Sequence, residues 1–351
     1  MLIALVSQVS LFTSQPDLYR ELISAIFHYN WDLEWKIRVS LVNLIYHMVT
    51  ANALLLLPSL QLLVKSLQYR DNFTSEESLP VDSFNTFLTR PNDLYSLVHR
   101  TIRCLTSICP SGQSSLFPIL STNFPYKMDP ISDHHNYTTH LLVICQYLPL
   151  QQFTILELII SKCVEIDVEI HIEDTGEVKL QISESNELFD LSSASHCSQF
   201  APHQEIADSS CSLLNGAPHT PGASSSPHLN DVSEMADKLD SMLLLLLSFL
   251  DSKINEEGVI KEKVLNQILK IFENQILLTH KSKFVQFLLF YLASKDSKFA
   301  TLIPKFLSSF FFDERSSFLK RQSAVVYLGS YLARANFVSA SLARYDKLLC
   351  T

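Results

Sequence analysis

Glycine is scarce in this chain, with six in 351 residues. Doubly wound sheets and phosphate-cradling loops need glycine at tight turns and close backbone approaches, so the scarcity argues against both. No Gly-rich phosphate loop, His-Glu-x-x-His pair or Gly-x-Ser-x-Gly elbow is present. The seven cysteines, Cys104, Cys109, Cys145, Cys163, Cys197, Cys211 and Cys350, are odd in number and irregularly spaced, and none forms a Cys-x-x-Cys pair. That usage suits thiols in a reducing compartment better than a disulfide frame or a zinc site. The apolar start, Met1 to Val6, lacks a basic leader and a small-residue cleavage site, so it reads as a helix. The Leu-rich run Met242 to Leu250 is too short to span a bilayer, and no membrane contact is expected.

Positive charge is also short. The formal net charge is −9, and Glu165 to Asp190 holds nine acidic residues against one basic residue, Lys179. The rest of the chain is then near neutral, which argues against a broadly basic nucleic-acid surface. The acidic run is most simply a solvated loop; the sharper reading is a contact for a basic partner. His134, His135 and His140 could in principle meet a metal. However, His135 and His140 are five apart, off the single-turn spacing, and no carboxylate or cysteine stands at a convincing distance along the chain. His196, His203, His219 and His228 fall in a Ser- and Pro-rich stretch and read as incidental. Glu169, Glu173 and Asp174 have nothing to fix them as a paired-carboxylate site. No cofactor site is expected, and an enzyme is the weaker hypothesis.

With hydrophobic content of 47%, a sizeable core is expected. Leu, Phe and Tyr arrive in blocks of helical length, which predicts an all-α protein. Candidate helices fall near 2–12, 17–28, 33–50, 52–69, 93–109, 114–121, 135–148, 151–166, 233–254, 259–278, 282–294, 298–311, 316–335 and 338–349. In the helix that Asn92-Asp93 opens and Pro110 closes, Leu94, Leu97, Val98, Thr101, Leu105 and Ile108 share one face. Helix pairs of roughly 35 to 45 residues suggest a HEAT-repeat-like α-solenoid, although no clean sequence repeat is present.

Two stretches interrupt this pattern. Asp71 to Asp82 reads as a loop. Val168 to Ile182 alternates around Glu173-Asp174-Thr175-Gly176-Glu177 like a small β-hairpin. Ser183 to Asn230 then holds twelve serines, four prolines and four histidines, a composition that reads as disordered. The expected division is therefore 1–167 helical repeats, 168–232 acidic hairpin and disordered insertion, and 233–351 helical repeats.

Three local features bear on function. In Arg321 to Phe337, Ala324, Tyr327, Leu328, Tyr331, Leu332 and Ala335 recur at helical spacing, with Arg321 and Arg334 at opposite ends. Tyr327 and Tyr331 read as core; Lys320, Arg321, Gln322 and Arg334 are candidate partner contacts, against the simpler reading of surface ion pairing for the two arginines. Ser111 after Pro110 reads as an N-cap, or as a phosphorylation site whose added charge would switch a contact. Trp31 and Trp35, four apart, read as an inter-repeat staple, with an aromatic binding ledge as the alternative.

The Arg321–Phe337 segment closely resembles the signature helix of the RNA polymerase I-specific transcription initiation factor family (transcription initiation factor IA). Further stretches match in order: Val98-His99-Arg100, Cys109-Pro110-Ser111, Phe117-Pro118-Ile119-Leu120, Asn123-Phe124-Pro125-Tyr126 and Tyr147-Leu148-Pro149. They continue through Ile155 to Ile160, Ile166 to Ile170, Ala236 to Asp240 and Thr279 to Leu288, and the likeness covers roughly residues 33 to 342. The resemblance implies a non-catalytic HEAT-repeat phosphoprotein of the nucleus and nucleolus. Such a factor binds RNA polymerase I beside its stalk and carries it to the promoter core factor at ribosomal RNA genes. It places Lys320, Arg321 and Gln322 in a region implicated in polymerase or weak DNA contact, and Pro110-Ser111 on a phosphorylation-sensitive polymerase-facing surface. A homodimer stays open. Gly112-Gln113 stands where animal members carry a second phosphoacceptor followed by proline. The family continues beyond the equivalent of Thr351, so the chain reads as truncated at its C-terminus and short at its N-terminus. The rival class is a general HEAT-type scaffold or transport adaptor, which would spread its acid along successive inner helices and not gather it in one interruption.

Overall fold

The computed structural model describes residues 2–29, 31–69, 93–170, 227–256, 258–279 and 282–337. Helices α1 (Leu2–Ser7), α2 (Val9–Ser14) and α3 (Arg20–Phe27) lead into α4 (Trp35–Ala51), a 3-10 turn (Ala53–Leu55) and α5 (Leu56–Ser66). Then follow α6 (Leu94–Ile108), α7 (Ser111–Thr122), α8 (Ile131–Tyr147) and α9 (Gln152–Glu169). The remaining helices are α10 (Pro227–Ile254), α11 (Val259–Ile271), α12 (Leu288–Lys295), α13 (Ser297–Phe312) and α14 (Phe318–Arg334). No strand occurs among the described residues. Neighbours in sequence pack on one another: α4 on α6, α5 on α7, α8 and α9 on α10, α12 on α13 and α13 on α14. This is the all-helical solenoid that the helix pairs predict.

Local chemistry places the helix ends. The Asp93 carboxylate accepts from the Ser96 amide at 3.0 Å and opens α6; Asp296 accepts from the Lys298 and Phe299 amides and opens α13; Ser317 accepts from the Lys320 amide and opens α14. Pro227 stands at the first position of α10, where its missing N–H costs nothing. α10 thus starts before residue 233 and takes in the end of the stretch read as disordered; residues 183–226 lie outside the described residues. The hairpin expectation is corrected at its start. Val168 and Glu169 are the last residues of α9, where Val168 packs on the core and Glu169 bonds Lys127 Nζ at 2.6 Å. Residues 171–182, the 71–82 loop and the 338–349 candidate helix lie outside the described residues.

One continuous apolar core runs through both sides of the insertion. Each fully buried Leu or Ile contributes about 1.5–3 kcal/mol relative to exposure. On α6 the buried face includes Leu94, Leu97, Val98, Thr101, Ile102 and Leu105; Ile108, the last residue of the helix, is 44% exposed. Trp31 is buried and Trp35 packs half-buried on the core, so both serve the packing and not an open ledge.

Candidate partner-binding surface

Helix α14 turns its apolar stripe inward. Ala324, Tyr327, Leu328 and Tyr331 are buried, with Ala335 just beyond the helix end, as the spacing predicts. The Tyr331 hydroxyl donates to the Ala300 carbonyl at 3.0 Å, its ring meets Phe290 edge-on at 5.2 Å, and Tyr327 meets Phe272 at 5.1 Å. Burial pushes the pKa of both phenols up, which keeps them neutral.

The four candidate contact residues do not form one cluster. Lys320 is half-buried: its ammonium bonds Glu273 at 2.5 Å and lies 4.3 Å from the centre of the Phe310 ring. Arg321 and Gln322 are half-buried on the same turn. Arg334 stands thirteen residues beyond Arg321, about 20 Å along the helix axis, and its guanidinium donates to Ser330 Oγ. Ser111 is on α7, which packs on α5, α6 and α9. It is exposed at the first helical position, with Pro110 at the N-cap and no side-chain cap bond. The N-cap reading is thus corrected, since Pro110 already holds a helical backbone and moves the boundary back one residue. The Ser111 carbonyl accepts from the Ser114 and Ser115 hydroxyls at 2.8 and 3.1 Å.

The sequence pattern missed a polar seam that ties α9 to the far side of the insertion. The Asp167 carboxylate is fully buried and accepts from Ser282 Oγ and from the backbone amides of Lys283, Phe284 and Val285 at 2.8–3.2 Å. It caps the 3-10 turn Val285–Phe287 that leads into α12. After α11 the helix widens into a π turn, Phe272–Ile276, closed by the Leu277 amide on the Phe272 carbonyl at 2.9 Å. That turn aims Asn274 and Gln275 at Glu157 of α9, and Glu273 at Lys320 of α14. Gln152 to Gln267 and His135 to Ser241 complete the seam. A groove of about 930 Å³ opens beside it, lined in part by Phe124, Pro125, Tyr126, Val168 and Thr279. Three of the stretches quoted from sequence therefore meet here. A carboxylate at position 167, within the apolar rhythm Cys163, Ile166, Ile170, was the signal available.

The histidines are also sorted by packing. His140 Nδ1 lies 3.1 Å from His99 Nε2, both fully buried, and His99 Nδ1 lies 3.0 Å from the hydroxyl of the half-buried Tyr147. Burial pushes His99 well below the usual imidazole range and His140 down to about 3, so both rings are neutral and share a proton-donor chain. His135 turns instead to Ser241. Among the described residues no group of three or more His, Cys, Asp or Glu side chains could hold a metal ion, and no helix is long and apolar enough to cross a membrane.

What the geometry defines is a helical-repeat scaffold with broad surfaces and an internally bonded seam. Over 97% of its length it matches a crystal structure of RNA polymerase I transcription initiation factor Rrn3, with a TM-score of 0.66 at 18% identity, and covers 58% of that chain. At that identity the likeness speaks for the fold. Residues 1–350 match the family described as RNA polymerase I specific transcription initiation factor RRN3. The chain belongs to that family. The factor from Schizosaccharomyces pombe is 29% identical over 71% of this chain and 41% of its own length. The mouse factor is 26% identical over 91% of this chain and 48% of its own. The Saccharomyces cerevisiae factor is 25% identical over 69% and 42%. The chain thus spans less than half the length of these curated relatives.

Proposed function

We propose that this chain binds RNA polymerase I and recruits it to the core factor at ribosomal RNA gene promoters. It acts in the nucleus and nucleolus through protein–protein contact and without catalysis. The observation that carries the reading is the family match across residues 1–350. In this reading the helical repeats run through Glu169 and resume at Pro227, with the insertion between them. Arg321 and Gln322 offer polar groups at the start of α14, Lys320 would have to share its ammonium with Glu273, and Arg334 serves a second contact one helix length away. Ser111, exposed at the start of α7, is the candidate switch: a phosphate there would meet the positive end of the helix and change the charge of that face.

The test is capture of RNA polymerase I from nuclear extract by the chain, beside an Arg321→Glu, Arg334→Glu double variant. Retention by the parent and loss by a folded variant are expected. Failure of the folded parent to retain polymerase would overturn the reading, and equal retention by both would remove the two arginines from it.

A further inference from the structure

The cations at the start of α14 are not equally available. Arg315, in the turn before the helix, is exposed, and Arg321 is half-buried; neither has an ion-pair partner among the described residues. Lys320 is different. Its ammonium lies 2.5 Å from Glu273 Oε1 and 4.3 Å from the centre of the Phe310 ring. The two paired side chains are only 21% and 31% exposed, so the attraction is partly shielded from water and stronger than between open surface charges. Glu273 stands on the π turn Phe272–Ile276, which points it at α14 while Asn274 and Gln275 reach Glu157 of α9. A carboxylate 47 residues away is thus delivered to one cation of the first helical turn. Phe318 and Leu319, just before Lys320, are 76% and 63% exposed, so the corner lies open to a partner. Its charges balance: Arg315, Lys320 and Arg321 stand against Asp313, Glu314 and Glu273. Asp313 is occupied in the turn, where it accepts from the Arg315 amide and the Ser316 hydroxyl, and Glu314 is exposed. Loss of the Glu273 charge alone would make the corner net positive.

We infer that Glu273 is a positioning residue for partner contact: it latches Lys320, so that the start of α14 accepts an acidic protein surface only when that surface displaces the Glu273 carboxylate. This rests on the reading that α14 meets RNA polymerase I, and it assigns carboxylates to the polymerase side of that contact. An incoming carboxylate either takes the ammonium from Glu273 or shares it and is repelled by Glu273. Both routes lower its affinity. A basic surface is turned away by Arg315 and Arg321, which have no internal acid to quench them. The latch therefore lowers affinity and raises selectivity, because a weak or misplaced acid fails to open it.

Two readouts test the latch. The first needs no polymerase: the full chain and its Glu273→Gln variant are acetylated with a limiting N-hydroxysuccinimide ester. Modification of Lys320 is followed by mass spectrometry, with the exposed Lys298 and Lys305 as internal references. Release of the ammonium is expected to raise modification of Lys320 about threefold, the scale of one partly exposed ion pair, with the references unchanged. An unchanged Lys320 rate overturns the inference. The second readout is binding of the fluorescently labelled chain to purified RNA polymerase I, for the parent, Glu273→Gln, Lys320→Gln and the double variant, at low and high salt. Glu273→Gln is expected to bind about three- to fivefold tighter, with the gain shrinking as salt rises and absent in the Lys320→Gln background. A gain that persists in that background, or weaker binding by Glu273→Gln at an unchanged melting temperature, overturns the inference. So does a gain seen with duplex DNA and absent with polymerase, which would assign the freed lysine to nucleic acid. Failure of the folded parent to bind polymerase overturns the recruitment reading instead, and the acetylation rate still decides whether Glu273 holds Lys320.

Discussion

The two sides of the insertion solve the same packing problem with different chemistry. The N-terminal side buries titratable rings: His99, His140 and Tyr147 in one chain of contacts, and His134 and Tyr137 around Phe124. The C-terminal side buries aromatic edges, with Phe272 on Tyr327, Phe290 on Tyr331 and Phe306 on Phe310. The core is continuous across both sides, yet only the first buries imidazoles that must stay neutral as pH falls. The difference teaches that one solenoid can bury imidazoles in one half and only phenol and phenyl rings in the other. The Asp167 seam joins the two sides.

The largest effect is expected at that seam. Asp167→Ala leaves the buried Ser282 hydroxyl and the amides of Lys283, Phe284 and Val285 without their acceptor, at a cost of about 3–5 kcal/mol. Denaturant unfolding should show it, together with lost hydrogen-exchange protection at 283–285. A single transition of unchanged midpoint would show that the seam does not couple the halves.

Next comes acid. Both core histidines have folded-state values below the unfolded value of about 6.5. Their contribution is therefore complete above that pH and is lost as pH falls from there toward 3. With two protons taken up only on unfolding, stability should drop by up to about 2.7 kcal/mol per pH unit between pH 6 and 4. Hydrogen exchange at pH 5 should open α6 and α8 before α13 and α14. A His99→Gln, His140→Gln variant should flatten the slope, and an equal slope would mean that other groups carry the acid response.

A smaller effect tests the aromatic side. Phe272→Leu removes the edge-to-face contact with Tyr327 and should cost about 1–2 kcal/mol at any pH between 5 and 8, measured by thermal melting. The smallest is Lys320→Gln. It breaks the Glu273 bridge and the contact with Phe310, both near the surface, and should change stability by less than about 1 kcal/mol. A larger loss would mark that ion pair as part of the seam.

Much of the fold was legible because helices announce themselves locally. Asp93, Asp296 and Ser317 cap where the polar residues stand, and the stripe of Ala324, Tyr327, Leu328 and Tyr331 is buried as its period requires. The misses share a cause. Val168 and Glu169 alternate like a strand but stay helical, because Lys127 and the core hold the last turn of α9. Ser111 resembles an N-cap, yet the backbone of Pro110 moves the boundary back by one residue. The candidate contacts of α14 were legible as polar positions on a helix. That Lys320 is already bound to Glu273, 47 residues away, was not.

The sequence alone determined the helical class, the helix registers and the family likeness, because period, capping and motif order are properties of neighbouring residues. Only the tertiary structure decided which polar groups spend their bonds inside the molecule. Asp167 reaches Ser282 across 115 positions, and His99 reaches His140 across 41. No local pattern encodes such pairings. They exist because a buried charge or imidazole must find a partner when water is removed, and the packing of distant helices supplies it.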